Sequence, residues 1–487
     1  MTTASSPITK RVAAFPWPGA LFGLLIALVV IGELIFPTYT SYDATYSLLW
    51  GREIIHGQLP DFMAYRAPTE HPLGLLFGAF FALFGLAGDR MLVIATLISF
   101  LVLVAGLYQL GRRSFTPLVG IVVGLIICTR FDFPFLAARG YVDIPYLALV
   151  IWAAALEASK ARRGTVVLAL LALAGLLRPE AWVLSGLYWL WLFPTLSWRA
   201  RFSTAALVAS APLIWAGVDF VVTGDPLFSQ SHTSGLAEEL GRQQGIAQVP
   251  SAMVTFISLL VKVPLAIAGL FGIVLACILV PTRVRVPLAL FIVGLGTFLL
   301  VGLGGFSVIN RYLLVPSMAL MLFAAFAVAG FSVLESGRVR SLWIGASGVG
   351  VAAVLIWSLL RVDLGGLISE VRFRGDSEQA LTSLLNQPNV RREAACGSVL
   401  TSNHRLVPSV RWIMNLPASR VVARSDVAAA AKVSEGIVLL AGGRTVFLRV
   451  GIDAGNTNSA DALRNLPPAG YRPIAANELY AVYGRCQ

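Results

Sequence analysis

Apolar residues in this chain fall in long unbroken runs rather than in the short alternating pattern of strands. Eleven such runs lie near 19–37, 90–110, 117–130, 141–159, 164–177, 181–196, 203–222, 252–280, 286–305, 311–335 and 341–360. Most approach the roughly 20 residues that a helix needs to cross a hydrocarbon core. The pattern predicts a polytopic α-helical membrane protein. A further stretch, 72–88, is uncharged but short and carries four glycines.

Basic residues decide how 72–88 lies, because loops on the cytoplasmic side carry excess Lys and Arg. If 72–88 rests along the outer interface, the pairs Arg112/Arg113, Arg199/Arg201, Arg283/Arg285 and Arg338/Arg340 and the trio Lys160/Arg162/Arg163 all fall inside. The count is then 11 inside against five outside (Arg130, Arg139, Arg178, Arg242, Arg311), and it inverts if 72–88 spans. The expectation is therefore 11 transmembrane helices and a cytoplasmic N-terminus. Lys10 and Arg11 precede the first run, and no small-residue cleavage site follows it, so that helix is expected to be retained. The first loop (38–90), the second loop (130–140) and everything after 362 then share the outer side. The expected division is a membrane module, 1–362, and an extracytoplasmic domain, 363–487.

Composition strengthens this reading. Of 487 residues, 57% are apolar and only 13% charged, against about 25% charged in a soluble domain. Mean hydropathy is +0.79. A soluble enzyme and a disordered chain are excluded. Net charge is +12, which loop bias explains without a nucleic-acid partner. No Walker loop, HExxH, GxSxG or CxxC occurs, so ATP-driven transport, zinc proteolysis and redox chemistry have no support.

After 362 the composition turns polar and arginine-rich. Short apolar runs at 398–401, 420–423, 437–441 and 479–483 predict strands; 376–385 and 426–434 predict helices; together they imply a small α/β domain. Cys396 and Cys486 bracket this region and are expected to pair, as an oxidising compartment allows. Cys128 and Cys277 lie in apolar runs.

The candidate chemistry sits just outside the bilayer. Tyr42, Tyr46 and Trp50 recur at helical spacing, predicting an amphipathic helix on the membrane surface. Asp43 follows the first span; Glu70, His71 and Pro72 precede the apolar stretch. The second loop brings Asp132, Arg139 and Asp143 to the same side. Arg178 and Arg311 stand at outer helix ends against the charge trend, and Asp219 and Lys262 are charges within apolar runs, a functional signal by default.

The run Tyr42-Asp43-x-x-Tyr46, then Gly57-Gln-Leu-Pro60-Asp61-Phe62, then Pro72-Leu73 and an apolar stretch ending Leu83-Phe84-Gly85 resembles the GT-C glycosyltransferases. The resemblance is closest to glycosyltransferase family 39, with its protein O-mannosyltransferases and lipid A aminoarabinose transferases. Arg90-Met-Leu, Gly111-Arg112-Arg113 and Asp143 continue it, over about residues 20–200. It implies an enzyme that uses polyprenyl-phosphate sugars, with Asp43 as the catalytic acid residue and Asp143 as the second-loop carboxylate. Glu70 matches a glutamate of the aminoarabinose branch. Ala44 stands where the mannosyltransferase branch often has a second acid, a departure from protein mannosylation.

The residue types fit that chemistry. Inverting transfer needs a base for the acceptor hydroxyl, which Asp43 would supply, and cations for a departing lipid phosphate, which suits Arg178 and Arg311. Asp143, Glu70 and His71 would position the acceptor or a divalent cation, the one cofactor the sequence suggests; Glu70 and His71 are its candidate ligands. The expected partners are a polyprenyl-phosphate-linked sugar, an envelope glycan, lipid or protein acceptor, and membrane lipid, in a bacterial inner membrane. The composition suits an actinobacterial envelope, where mannose and arabinose travel on polyprenyl phosphate. The rival readings are a lipid-linked glycan ligase, a transporter or flippase of lipid-linked sugar, and a non-catalytic scaffold.

Overall fold

The computed structural model describes residues 17–361, 363–452 and 459–486; Lys10 and Arg11 lie outside them. All eleven apolar runs are helical. The chain opens with α1 (Trp17–Ile35), α2 (Tyr42–Ile55), α3 (Pro72–Ala82), α4 (Gly88–Ser114) and α5 (Pro117–Thr129). The short α6 (Asp132–Ala137) sits in the second loop, before α7 (Asp143–Ser159), α8 (Thr165–Gly175), α9 (Glu180–Leu192) and α10 (Trp198–Thr223). Then follow α11 (Phe228–Glu239), α12 (Val249–Val261), α13 (Val263–Leu279), α14 (Arg285–Leu303), α15 (Leu314–Ala329) and α16 (Arg338–Arg361).

Among the described residues, six helices are long and apolar enough to cross a membrane. One expected span is corrected: 252–280 is two helices, α12 and α13, bent by 102°. Lys262 makes the corner with φ +70°, a conformation in which α12 ends, and Pro264 restarts the chain as α13. α3 has 11 residues, about 16 Å of helix at 1.5 Å per residue, too short to cross a core of about 30 Å.

α15 is the core of the bundle, buried from Leu314 to Phe326, and packs against α5, α13 and α14. α4 and α7 form a second tight pair. α1 and α16 bury none of their apolar span, as suits helices facing hydrocarbon. α2 crosses α3 where Gly51 meets Gly78, so closely that a methyl on either would strike the other helix's backbone.

The aromatic stripe of α2 does not face lipid. Tyr46 and Trp50 are fully enclosed, in edge and tilted contacts with Tyr42 and Phe62. The loop after α2 and the C-terminal domain cover this face, so its aromatic surface is buried in protein.

That domain begins with α17 (Leu364–Leu385) and α18 (Pro388–Ala395). Its sheet, in the order β2-β1-β3-β5-β4, comprises β1 (Ser398–Thr401), β2 (Val421–Ala423), β3 (Gly436–Ala441), β4 (Arg472–Ala476) and β5 (Tyr480–Arg485). β1 pairs in parallel with β2 and β3, while β5 runs antiparallel to β3 and β4. α19 (Val407–Met414) follows β1. Four strands match the expectation; β4, an exposed edge carrying Pro473, gives no apolar signal. The expected helix 376–385 is the end of a longer one, and 426–434 is helical only over Val427–Ala430. Cys396 and Cys486 are disulfide-bonded.

The domain docks on the end of the bundle that carries α2, α3 and α6. The buried Arg411 reaches the half-buried Glu53 at 2.6 Å. Arg52 lies over Trp412 and donates to the carbonyls of Arg411 and Trp412.

Candidate functional site

Three carboxylates stand at helix starts, where the helix dipole favours negative charge. Asp43 is in the first turn of α2, Asp143 opens α7 and Glu180 opens α9. Ser41 caps α2 through Ala44 N–H, and its own N–H donates to the carbonyl of Arg139. That bond ties the Asp43 turn to the second loop.

Two arginines stitch the carboxylates into one chain. Arg178, in the turn between α8 and α9, donates to Asp143 Oδ1 at 2.6 Å and to Glu180 Oε1 at 2.7 Å. Arg311, in the helical turn leading into α15, lies 3.0 Å from Asp43 Oδ2 and 3.4 Å from Asp143 Oδ2. The order in space is Asp43–Arg311–Asp143–Arg178–Glu180. Asp143 is fully enclosed. Arg178 lies between the rings of Tyr146 and Tyr312, at 5.9 and 5.4 Å; Arg311 lies over Tyr141, at 5.3 Å. Stacked, doubly bonded guanidiniums in a desolvated site are held in one orientation.

This chain ends in a cavity of about 890 Å³ between the bundle and the C-terminal domain. Of its five groups, only Asp43 and Arg311 line the cavity; Arg178 is enclosed, with both its carboxylate partners in place. The membrane module also contributes Asp132, Arg139 and Arg242 to the wall. The other side comes from Arg374, Glu378, His404, Arg405 and Arg449 of the C-terminal domain.

Glu70 and His71 lie beside this arrangement rather than in the cavity wall. Glu70 is buried, accepts from Trp215 Nε1 at 3.2 Å and contacts Ser229 Oγ. Ser229 Oγ also lies 2.8 Å from Asp219 Oδ1. One hydroxyl proton cannot serve two carboxylates, so one of them carries its own. Burial pushes the Glu70 carboxyl well above its ordinary range, and hydrogen bonding with Asp219 acts in the same direction. Glu70 is thus the protonated partner, linked through Ser229 to Asp219. Burial brings the His71 ring down to about 4, with Arg178's charge adding to it, so His71 is neutral at neutral pH. Its Nδ1 is buried with no hydrogen-bond partner. Among the described residues, no group of three His, Cys, Asp or Glu is arranged to hold a metal ion.

The sequence singled out Asp43, Asp143, Arg178 and Arg311, and the fold brings these four together. It placed Arg139 with Asp132 and Asp143 on the outer side without giving it a role, gave Arg242 only as a topology marker, and gave no individual signal for Arg374, Glu378, His404, Arg405 or Arg449. The arginine enrichment after 362 was the one available hint.

No family model matches the chain, and no curated protein sequence matches it. Its fold, however, has solved counterparts. ArnT from Cupriavidus metallidurans is similar over 96% of this chain and 97% of its own, at 15% identity and a TM-score of 0.58. The same protein bound to undecaprenyl phosphate aligns equally well, also at TM-score 0.58, over 97% of this chain and 98% of its own. The archaeal oligosaccharyltransferase AglB from Archaeoglobus fulgidus, in complex with an inhibitory peptide and a dolichol-phosphate, matches at 11% identity and TM-score 0.52, over 97% of this chain and 74% of its own. At these identities the likeness shows a shared fold: this chain is folded as ArnT is, and as AglB is over 74% of its length.

Proposed function

We propose that this protein is an inverting glycosyltransferase that moves a sugar from a polyprenyl-phosphate carrier to a cell-envelope acceptor, at the outer face of a bacterial inner membrane. One observation carries the reading: within a buried ladder of ion pairs, the two groups that line the cavity are a carboxylate and an arginine, Asp43 and Arg311, 3.0 Å apart. Transfer with inversion needs that pairing of a base and a phosphate partner.

In this reading Asp43 takes the proton of the acceptor hydroxyl as its oxygen bonds to the sugar's anomeric carbon. The bond from that carbon to the phosphate oxygen breaks on the opposite face, and the electron pair leaves with the polyprenyl phosphate. Arg311, with Arg139 and Arg242 on the same wall, meets the charge that develops there. Asp143 and Arg178 do not reach the reactants; they hold Arg311 in place from behind. Glu70, His71 and Asp219 fix the start of α3 against α10 and α11.

The test is sugar transfer by the purified, reconstituted protein, offered labelled polyprenyl-phosphate mannose, arabinose and related donors with envelope extract. Transfer from one donor supports the reading and names the sugar. A chelator arm tests the expected cation. No transfer from any donor refutes it. One observation favours a lipid-linked glycan ligase as a second reading: the cavity, at about 890 Å³, has room for more than a single sugar. A diphosphate-linked oligosaccharide donor in the same panel separates the two.

A further inference from the structure

Tyr42 opens α2 one residue before Asp43, and its side chain is fixed from several directions. Its hydroxyl donates to the carbonyl of Arg66 at 2.9 Å. Its ring makes edge contacts with Tyr46, at 5.0 Å between centres, and with His404 of the C-terminal domain, at 5.7 Å. The Asp43 turn is therefore tethered on one side by Ser41 to the second loop and on the other by Tyr42 to Arg66.

Arg66 has φ +54°, a left-handed conformation disfavoured for a residue with a side chain. Such a backbone persists where its surroundings hold it. Its carbonyl goes to Tyr42, while its guanidinium, almost enclosed, goes to two other parts of the chain. Nε donates to Glu239 Oε1, at the end of α11, at 2.8 Å. Nη1 lies 3.3 Å from Nδ1 of His404, in the turn between β1 and α19. α11 has Ala237 as its sole fully buried residue, so polar contacts fix it on the first loop. His232 Nε2 lies 2.9 Å from the Ala67 carbonyl, and the Thr233 hydroxyl lies 2.7 Å from that of Thr69.

Each part joined at Arg66 supplies cavity wall: Tyr42 and Asp43 from α2, Leu240 and Arg242 just past α11, and His404 from the domain. Arg66 does not line the cavity itself, so it acts on the reaction through these neighbours. Rates fall steeply when a reacting group is displaced by even an ångström or so.

We propose that Arg66 is the positioning residue of the site: it locks Tyr42, and with it the base Asp43, to α11 and the C-terminal domain, so that the base is aligned only while all three are docked. This rests on the transfer reading above and adds how its base is set.

The test measures kcat and the donor's KM for the full-length reconstituted protein with the accepted labelled donor and acceptor. Wild type is compared with Arg66→Gly, Arg66→Lys, Tyr42→Phe and the Arg66→Gly/Tyr42→Phe pair. Glycine adopts φ +54° freely, so it removes the guanidinium and keeps the turn. Phenylalanine keeps the packing of the Tyr42 ring and removes its hydroxyl, and it carries the test by itself if Arg66→Gly does not fold. Arg66→Gly and Tyr42→Phe should each lower kcat by on the order of ten-fold, as a slightly misplaced base does, with the donor's KM unchanged. The pair should lose little more than the worse single variant, because both break one tether. Arg66→Lys should recover part of the rate, since an ammonium reaches one partner but does not fork to both. Unchanged kcat, losses that multiply, or a raised donor KM at constant kcat overturns the proposal while leaving transfer intact. No transfer by wild type with any donor removes the transfer reading and this proposal with it.

Discussion

Replacing Asp143 by Asn tests the ion-pair ladder, because the change keeps the shape of the side chain and removes its charge. Asp143 is fully enclosed and holds Arg178 at 2.6 Å and Arg311 at 3.4 Å. Losing two charge-assisted bonds costs about 1.5–3 kcal/mol each. Arg178 keeps Glu180 and Arg311 keeps Asp43, so neither cation is orphaned. The expected loss is therefore near the lower sum, about 3 kcal/mol. Arg178→Gln is different. It takes from Glu180 its arginine and leaves Asp143 sharing Arg311 with Asp43, and breaking a buried pair this way costs about 3–5 kcal/mol.

The order of the two variants is thus predicted: Arg178→Gln is the more destabilising. The double variant loses less than the sum, with a coupling of about 0.5–3 kcal/mol. Thermal unfolding of purified protein in one detergent measures all three. In the transfer assay Asp143→Asn lowers kcat by on the order of 100-fold, because Arg311 loses its inner support and misplaces the phosphate. A milder Arg178→Gln, or strictly additive losses, would refute the ladder as a coupled unit.

Other outcomes follow from the same geometry. Glu70→Gln should leave the free energy of unfolding, read from melting curves, within about 0.5 kcal/mol of wild type, since the native side chain is already protonated; a loss well beyond that would reverse the assignment. Burial pushes Glu378 up to about 7, with Asp89's charge adding to it. Because its folded value lies above its unfolded one, ionising it weakens the fold progressively from about pH 4.5 to pH 7. Glu378→Gln should therefore match wild type below about pH 4 and gain at most about 3 kcal/mol at pH 8, a difference that pH-dependent melting curves would show. Gly78→Ala should cost about 1–3 kcal/mol by forcing α3 off the Ser47 carbonyl of α2, read as a lowered melting temperature.

Much of the architecture was legible because bilayer length dominates the sequence pattern: every long apolar run is helical, all but 252–280 without a sharp corner, and 72–88 is too short to cross. The corner at Lys262 was hidden, since a single residue at φ +70° leaves no trace in hydropathy. The aromatic stripe of α2 was found but given the wrong surroundings, because periodicity reports a buried face and not what buries it. The site was half legible. Asp43, Asp143, Arg178 and Arg311 stood out as charges at the ends of apolar runs. Which of them meets the cavity depends on long-range packing, so Arg178 read as a phosphate ligand although it lies behind Asp143. The arginines of the opposite wall come from α17 and from two short turns about 30 to 75 residues further on, and no local motif links them.

The central claim is that Asp43 is the base of a transfer reaction, and one comparison tests it most directly. Wild-type protein and Asp43→Asn, reconstituted at equal amounts and saturated with the accepted polyprenyl-phosphate sugar, are assayed for label moved to acceptor. Loss of a positioned base should lower the rate by about 10²–10⁴-fold, with donor binding and membrane abundance retained. Transfer by Asp43→Asn at the wild-type rate would contradict the account.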